Sequence, residues 1–131
     1  MKNNSPRLLV VDNDEVFNFI IEAYCKSSTV DCQIEFKTRA QDALSHLHTL
    51  TVKDRPDVIL LDLNMPVMDG FEFLEAYYKS NLNDKKTRIF MISSSVYEAD
   101  QKRALRYPDV EGFVVKPISK QFIKELLNRF N

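Results

Sequence analysis

The sequence predicts an α/β fold, a parallel sheet with helices on both of its faces. Three observations predict it. Short apolar runs alternate five times with segments carrying apolar residues at helical spacing, and parallel strands need such crossover connections. Several of the runs are continuously apolar, as expected of strands covered on both sides. No linker, repeat or low-complexity stretch interrupts the alternation.

Leu8-Leu9-Val10-Val11 is the first candidate strand. Asp14 follows as an N-cap, and Phe17, Ile20, Ile21 and Tyr24 recur at helical spacing. Ile34 and Phe36 alternate with polar neighbours, as in a more exposed second strand. Ala40, Ala43, Leu44 and Leu47 mark the second helix. Pro56-Asp57 opens a third strand over Val58 to Leu61, and Phe71, Leu74, Tyr77 and Tyr78 give the third helix. The polar stretch from Lys79 to Thr87, with Asn81, Asn83, Asp84, Lys85 and Lys86, either extends that helix or bulges outwards. Ile89 to Ile92 is the fourth strand. A weaker helix with Ala99, Ala104 and Leu105 ends at Pro108. Phe113-Val114-Val115 is the fifth strand, and Ile118, Phe122, Leu126 and Phe130 form the stripe of the last helix.

Bulk properties narrow the function. A chain of 131 residues suits one domain over 1–131, with its core at about 7–130. A hydrophobic fraction of 44% supports an ordinary core. The net charge of -1 offers no basic surplus, so no nucleic-acid partner is expected. The apolar runs are too short to span a bilayer, and Met1 to Pro6 lacks the apolar core of a signal peptide, so a cytoplasmic protein without membrane insertion is expected. Cys25 and Cys32 are too few and wrongly spaced for a zinc site; reduced, half-buried thiols are expected, with a disulfide the lesser case.

The chemically unusual residues fall at strand ends. The first strand runs into Asp12-Asn13-Asp14, the third into Asp62, the fourth into Ser93-Ser94-Ser95 and the fifth into Lys116-Pro117. In a parallel sheet these ends share one edge, where open α/β sheets bind ligands. Acidic loops there suit Mg²⁺, which uses one or two carboxylates together with phosphate oxygens. An ammonium and a hydroxyl suit a phosphoryl group. A carboxylate in that setting can act as a nucleophile and form an aspartyl phosphate.

With these residues in view, the chain resembles the response-regulator receiver domains of two-component signalling, from about Arg7 to Phe130. The resemblance is carried by Val11-Asp12-Asn13-Asp14, Leu61-Asp62-Leu63-Asn64-Met65-Pro66 with Met68-Asp69-Gly70, Ser93, and Val115-Lys116-Pro117. It implies a flavodoxin-like doubly wound sheet of five parallel strands in the order 2-1-3-4-5. It implies that Asp62 is the phosphoacceptor, that Asp12 and the residue at Asn13 support Mg²⁺ with Asp62 and the Asn64 backbone carbonyl, and that Lys116 pairs with the phosphate. Ser93 takes the switch-hydroxyl position and Phe113 the switch-aromatic position, and the Lys116–Pro117 bond is cis in similar proteins. The implied donor is a phosphohistidine on a sensor histidine kinase or phosphotransfer protein. The domain would catalyse its own phosphorylation and dephosphorylation without being a turnover enzyme. With the chain ending at Asn131, the expected output is a downstream protein target or a self-dimer, through the surface around the fourth helix and fifth strand.

The sequence departs from the pattern at Asn13, where an acid is common. An amide oxygen can coordinate but one negative charge is lost, so weaker Mg²⁺ binding is expected. Asp14 is the other acid in reach, with the N-cap role competing for it. Asn13 favours an alternative, a pseudo-receiver that binds partners without taking phosphate; Asp62, Ser93 and Lys116 oppose it. A haloacid-dehalogenase-type phosphohydrolase wants an acid two residues after its aspartate, where this chain has Asn64. A flavodoxin-like cofactor binder wants a phosphate-cradling first loop, where this chain is anionic and lacks glycine. Ser94 and Ser95 read as turn residues. His46 and His48 read as surface or packing residues, and Tyr77 and Tyr78 as core and boundary packing.

Overall fold

A computed structural model describes residues 5–84 and 86–131. Met1 to Asn4, in the stretch read for a signal peptide, and Lys85 of the polar stretch lie outside the described residues. The elements run β1 (Arg7–Val11), α1 (Glu15–Lys26), β2 (Gln33–Lys37), α2 (Ala40–His48), a single 3₁₀ turn (Val52–Asp54), β3 (Val58–Asp62), α3 (Gly70–Lys79), β4 (Arg88–Ser93), α4 (Glu98–Ala104), β5 (Val110–Val115) and α5 (Lys120–Arg129). The five strands are parallel in the order β2-β1-β3-β4-β5, as the sequence led us to expect.

Two apolar cores follow from the alternation of side chains along the strands. Leu9, Val11, Ile59, Leu61, Ile89 and Met91 face α2 and α3, with Ala104 of α4. Leu8, Val10, Val58, Leu60, Phe90 and Ile92 face α1 and α5 through Phe17, Ile21, Ile123, Leu126 and Leu127. β3 is the central strand and is buried from end to end. Its four aliphatic side chains each contribute roughly 1.5–3 kcal/mol on burial, an upper-bound figure. That sum holds the strand in place although it ends in a carboxylate.

Several local expectations are corrected. In α1 the buried residues are Phe17, Asn18, Ile21 and Cys25, while Ile20 faces solvent. α3 stops at Lys79, because Asn81 turns left-handed with φ 58°. The polar stretch therefore bulges, but it is pinned: Leu82 is buried, Arg55 Nη1 donates to the Leu82 carbonyl at 3.1 Å, and Asp84 Oδ1 accepts from Lys86 N and Thr87 N. α4 buries only Ala104; Ala99 and Leu105 are exposed, and Leu105 already caps the helix before Pro108 is reached. In α5 the buried stripe is Ile123, Leu126 and Leu127. Ile118 precedes the Ser119 N-cap and is buried in the same core as Ile123, the arrangement of a hydrophobic staple.

Candidate functional site

The strand order reverses between β1 and β3, so the crevice at their carboxyl ends opens beside Asp12 and Asp62. Asp62 is the last residue of β3 and is buried. Its Oδ1 accepts from the Asn64 backbone N–H at 3.3 Å. Burial, and then the neighbouring Asp12 carboxylate, push the Asp62 carboxyl up to about 6; Lys116 and the Asn64 N–H pull the other way.

Asp12 is only 1% exposed and is held from four sides. Its backbone N–H donates to the Lys37 carbonyl at 3.0 Å, and its carbonyl accepts from Asn18 Nδ2 at 2.9 Å. Its Oδ1 accepts from Asp14 N at 2.8 Å, and its Oδ2 lies 2.8 Å from Lys116 Nζ. The Lys116 contact is a close ion pair without hydrogen-bond alignment, so Oδ2 stays buried with no aligned donor. Lys116 stands at the end of β5 with its ammonium 4.5 Å above the Phe17 ring, and the Lys116–Pro117 peptide is cis.

Ser93 ends β4, buried, and its hydroxyl oxygen accepts from Ser95 N at 3.2 Å and from Asn64 Nδ2 at 3.4 Å. The Ser93 carbonyl accepts from Lys116 N at 2.8 Å, which ties the ends of β4 and β5 together. Phe113 is half-buried against the core that α2, α3 and Ala104 of α4 share with the sheet.

The loop from Asp62 to α3 has a steric reason for its glycine. A Cβ at Gly70 would meet the Asp62 carbonyl oxygen and Leu63 Cα, each at 2.9 Å, and Met91 Cε at 3.0 Å. Gly70 N also donates to the Leu63 carbonyl at 2.9 Å. Asp69 and Glu72 close a reciprocal capping box at the start of α3. Val67, two residues before Asp69, takes a left-handed φ of 72° at an exposed position, a strained backbone for a β-branched residue.

The residue set can be tested against a divalent cation. Two buried carboxylates, Asp12 and Asp62, are neighbours with one ammonium paired to Asp12, and one Asp12 oxygen lacks an aligned donor. That arrangement fits Mg²⁺ held by two carboxylates, a backbone carbonyl and water. Among the described residues no group of three or more His, Cys, Asp or Glu side chains is gathered, so the site is lean in charge. Asn13 is exposed at the mouth. Asp14 is spent on α1, its Oδ1 accepting from Val16 N at 3.0 Å and Phe17 N at 3.1 Å.

Asp12, Asp62, Asn64, Ser93 and Lys116 thus converge from four strand ends, with Asn13 at the rim and Phe113 on the adjacent strand. Ser94 is exposed, and His46 and His48 lie on α2. Tyr77 is core, and Tyr78 packs at the boundary with its hydroxyl accepting from Asp109 N at 3.0 Å. Phe17 and Asn18 were missed as site residues. Asn18, a polar residue inside an otherwise apolar stretch of α1, was the available signal.

The family profile of the response regulator receiver domain matches residues 8–128. The response regulator protein VraR of Staphylococcus saprophyticus is 32% identical over 124 residues, covering 94% of this chain and 55% of VraR. The hybrid signal transduction histidine kinase L of Dictyostelium discoideum is 27% identical over 126 residues, covering 95% of this chain and 7% of that protein. The chain therefore spans about half, or far less, of these relatives' lengths. The crystal structure of a response regulator receiver protein from Dyadobacter fermentans superposes with a TM-score of 0.80 at 33% identity, covering 96% of this chain and 98% of that one.

Proposed function

The chain belongs to the response-regulator receiver family, and from that premise we propose that it is a phosphoacceptor switch centred on Asp62. The observation that carries this reading is the meeting of Asp62, Asp12, Ser93 and Lys116 at one sheet edge. The donor is a phosphohistidine on a sensor histidine kinase or a phosphotransfer protein. An Asp62 carboxylate oxygen attacks phosphorus in line; the P–N bond breaks, and its electron pair stays with the imidazole. Asp12, Asp62 and the Asn64 carbonyl would hold Mg²⁺, which supplies charge neutralisation for the phosphoryl oxygens.

Lys116 then exchanges part of its pairing with Asp12 for a phosphate oxygen, and the Ser93 hydroxyl donates a hydrogen bond to another. Drawing Ser93 towards the phosphate releases Asn64 Nδ2 and Ser95 N, the two groups its oxygen now accepts from. Space opens for Phe113, and the surface of α4 and β5 shifts between two states. That surface addresses a downstream protein or a second copy of the chain. The domain gains and loses its phosphoryl group by its own groups and turns over no further substrate. Its proposed workplace, with the kinase or phosphotransfer partner, is the cytoplasm.

The test uses phosphoramidate with Mg²⁺ as a small P–N donor. Wild-type protein should gain one phosphoryl group that hydroxylamine removes, as it removes an acyl phosphate but not a phosphoserine. Labelling of Asp62→Asn at the wild-type rate would overturn the reading. The exposed amide at Asn13 favours the pseudo-receiver as a second reading. Beryllofluoride with Mg²⁺ separates the two, because a pseudo-receiver gives no spectral change.

A further inference from the structure

Cys25 is the penultimate residue of α1, and Cys32 immediately precedes β2. The chain between them folds back on itself. Ser27 N donates to the Ala23 carbonyl at 3.0 Å, Ser28 N to the Cys25 carbonyl at 3.2 Å, and Val30 N to Ser28 Oγ at 3.1 Å. Gln33 N donates to the Pro6 carbonyl at 2.9 Å, which fixes the residue after Cys32 on the sheet. Each cysteine is therefore held by its own element, and both side chains enter the same apolar core with Tyr24, Val30 and Ile34. Each thiol alters the proton affinity of the other across this turn. Both are free, with Cys25 buried and Cys32 half-buried.

We propose that Cys25 and Cys32 form a reversible dithiol–disulfide site, oxidised by small-molecule disulfides of the glutathione class. A disulfide needs two sulfurs close together and backbones that keep them so; here the short turn from α1 to β2 and the shared core bring both side chains to one place. The unequal exposure assigns the roles. Cys32 is the thiol a soluble oxidant can reach, and Cys25 is the resolving thiol behind it. The charges agree with this division. The neighbouring Cys25 lowers the Cys32 thiol below the ordinary value, while burial and then Asp31 oppose that. The same contact, burial and Glu22 push the Cys25 thiol up.

The steps balance. The Cys32 thiolate attacks one sulfur of glutathione disulfide, forming a mixed disulfide and expelling one glutathione thiolate. Cys25 gives up its proton and attacks the Cys32 sulfur, closing the protein disulfide and expelling the second thiolate. Two protein thiols are oxidised, and one glutathione disulfide is reduced to two glutathiones. The site lies at the amino end of β2, the sheet edge opposite Asp62, and does not depend on the phosphoryl-transfer reading. The bond would join α1 to the sheet's edge strand covalently.

The full reduced chain is incubated with glutathione disulfide, quenched in acid and weighed intact without reductant. The wild type should lose two hydrogens as a monomer, resist iodoacetamide at both cysteines, and return to free thiols with dithiothreitol. Cys25→Ser and Cys25→Ala should stop at a single glutathione adduct on Cys32; the alanine variant keeps the pocket apolar should serine disturb the core. Cys32→Ser should react roughly tenfold more slowly than Cys25→Ala, since only the buried thiol remains. Stable glutathione adducts or disulfide-linked dimers of the wild type would overturn the proposal, as would a Cys32→Ser variant that reacts as fast as Cys25→Ala.

Discussion

Lys116 Nζ stands 2.8 Å from Asp12 Oδ2, so the ammonium is already committed to that carboxylate. The same charge also lowers the proton affinity of Asp62. One lysine thus serves two acids, and a cation at Asp12 would loosen the first pairing and leave the ammonium free for phosphate oxygens. Replacing Lys116 by methionine keeps the length of the side chain and removes the charge. The Asp62 midpoint should then rise beyond about 6. Carbon-detected NMR titration of the carboxyl carbons reads this directly, and an unmoved midpoint would refute the shared role.

Without divalent cations, stability should fall with rising pH through the titration of Asp62. The carboxyl is raised from 3.8 to about 6 in the folded protein. A group whose folded value is raised contributes its stability in full below the unfolded value and loses it as pH climbs through the folded one. Asp62→Asn should therefore be more stable than wild type at about pH 7.5 in chelator, by roughly 2 kcal/mol, with the gain gone near about pH 4. Urea unfolding across that range measures it, and parallel curves for the two proteins would contradict the buried-repulsion account.

Asn13→Asp should tighten Mg²⁺ binding by roughly tenfold, through the charge returned to the rim of the site. Isothermal titration calorimetry gives the comparison without an optical probe, which suits a chain that has no tryptophan. Equal affinities would place the metal beyond the influence of residue 13.

Gly70→Ala should destabilise the fold by about 2 kcal/mol, as overpacking against backbone does. Two of the three atoms its Cβ meets are main-chain atoms, the Asp62 oxygen and Leu63 Cα at 2.9 Å. These cannot rotate away as a side chain can. Chemical denaturation provides the number, and a neutral substitution would mean that α3 can slide from the strand end.

The sheet and its edge were legible because strand periodicity and strand-end polarity are local signals. The apolar run ending in Asp62 announced both the central strand and the buried carboxylate at its end. What the sequence left open depends on contacts distant along the chain. Ile20 fits the apolar pattern of α1 as well as Ile21 does, and only packing against α5 decides which is buried. Asn18 reaches Asp12 at 2.9 Å only once β1 and α1 are folded together. Lys116 pairs with Asp12 at 2.8 Å rather than with Asp62, a choice between two neighbouring acids that only the folded strand ends make. Ile118 reads as part of a helical stripe, yet Ser119 caps the helix behind it because its hydroxyl accepts from Phe122 N at 3.0 Å.

The contact of Gly70 with the Asp62 carbonyl makes the site mechanically lopsided. On one side Asp62 rests on an anvil: helix backbone against strand backbone, with Gly70 N bonded to Leu63 O at 2.9 Å and the Asp69–Glu72 box behind it. On the other side Ser93 is held by contacts of 3.2 and 3.4 Å, and Val96 and Tyr97 beyond it stand in solvent. The compliant flank of Asp62 is therefore the one away from α3, along β4 towards α4.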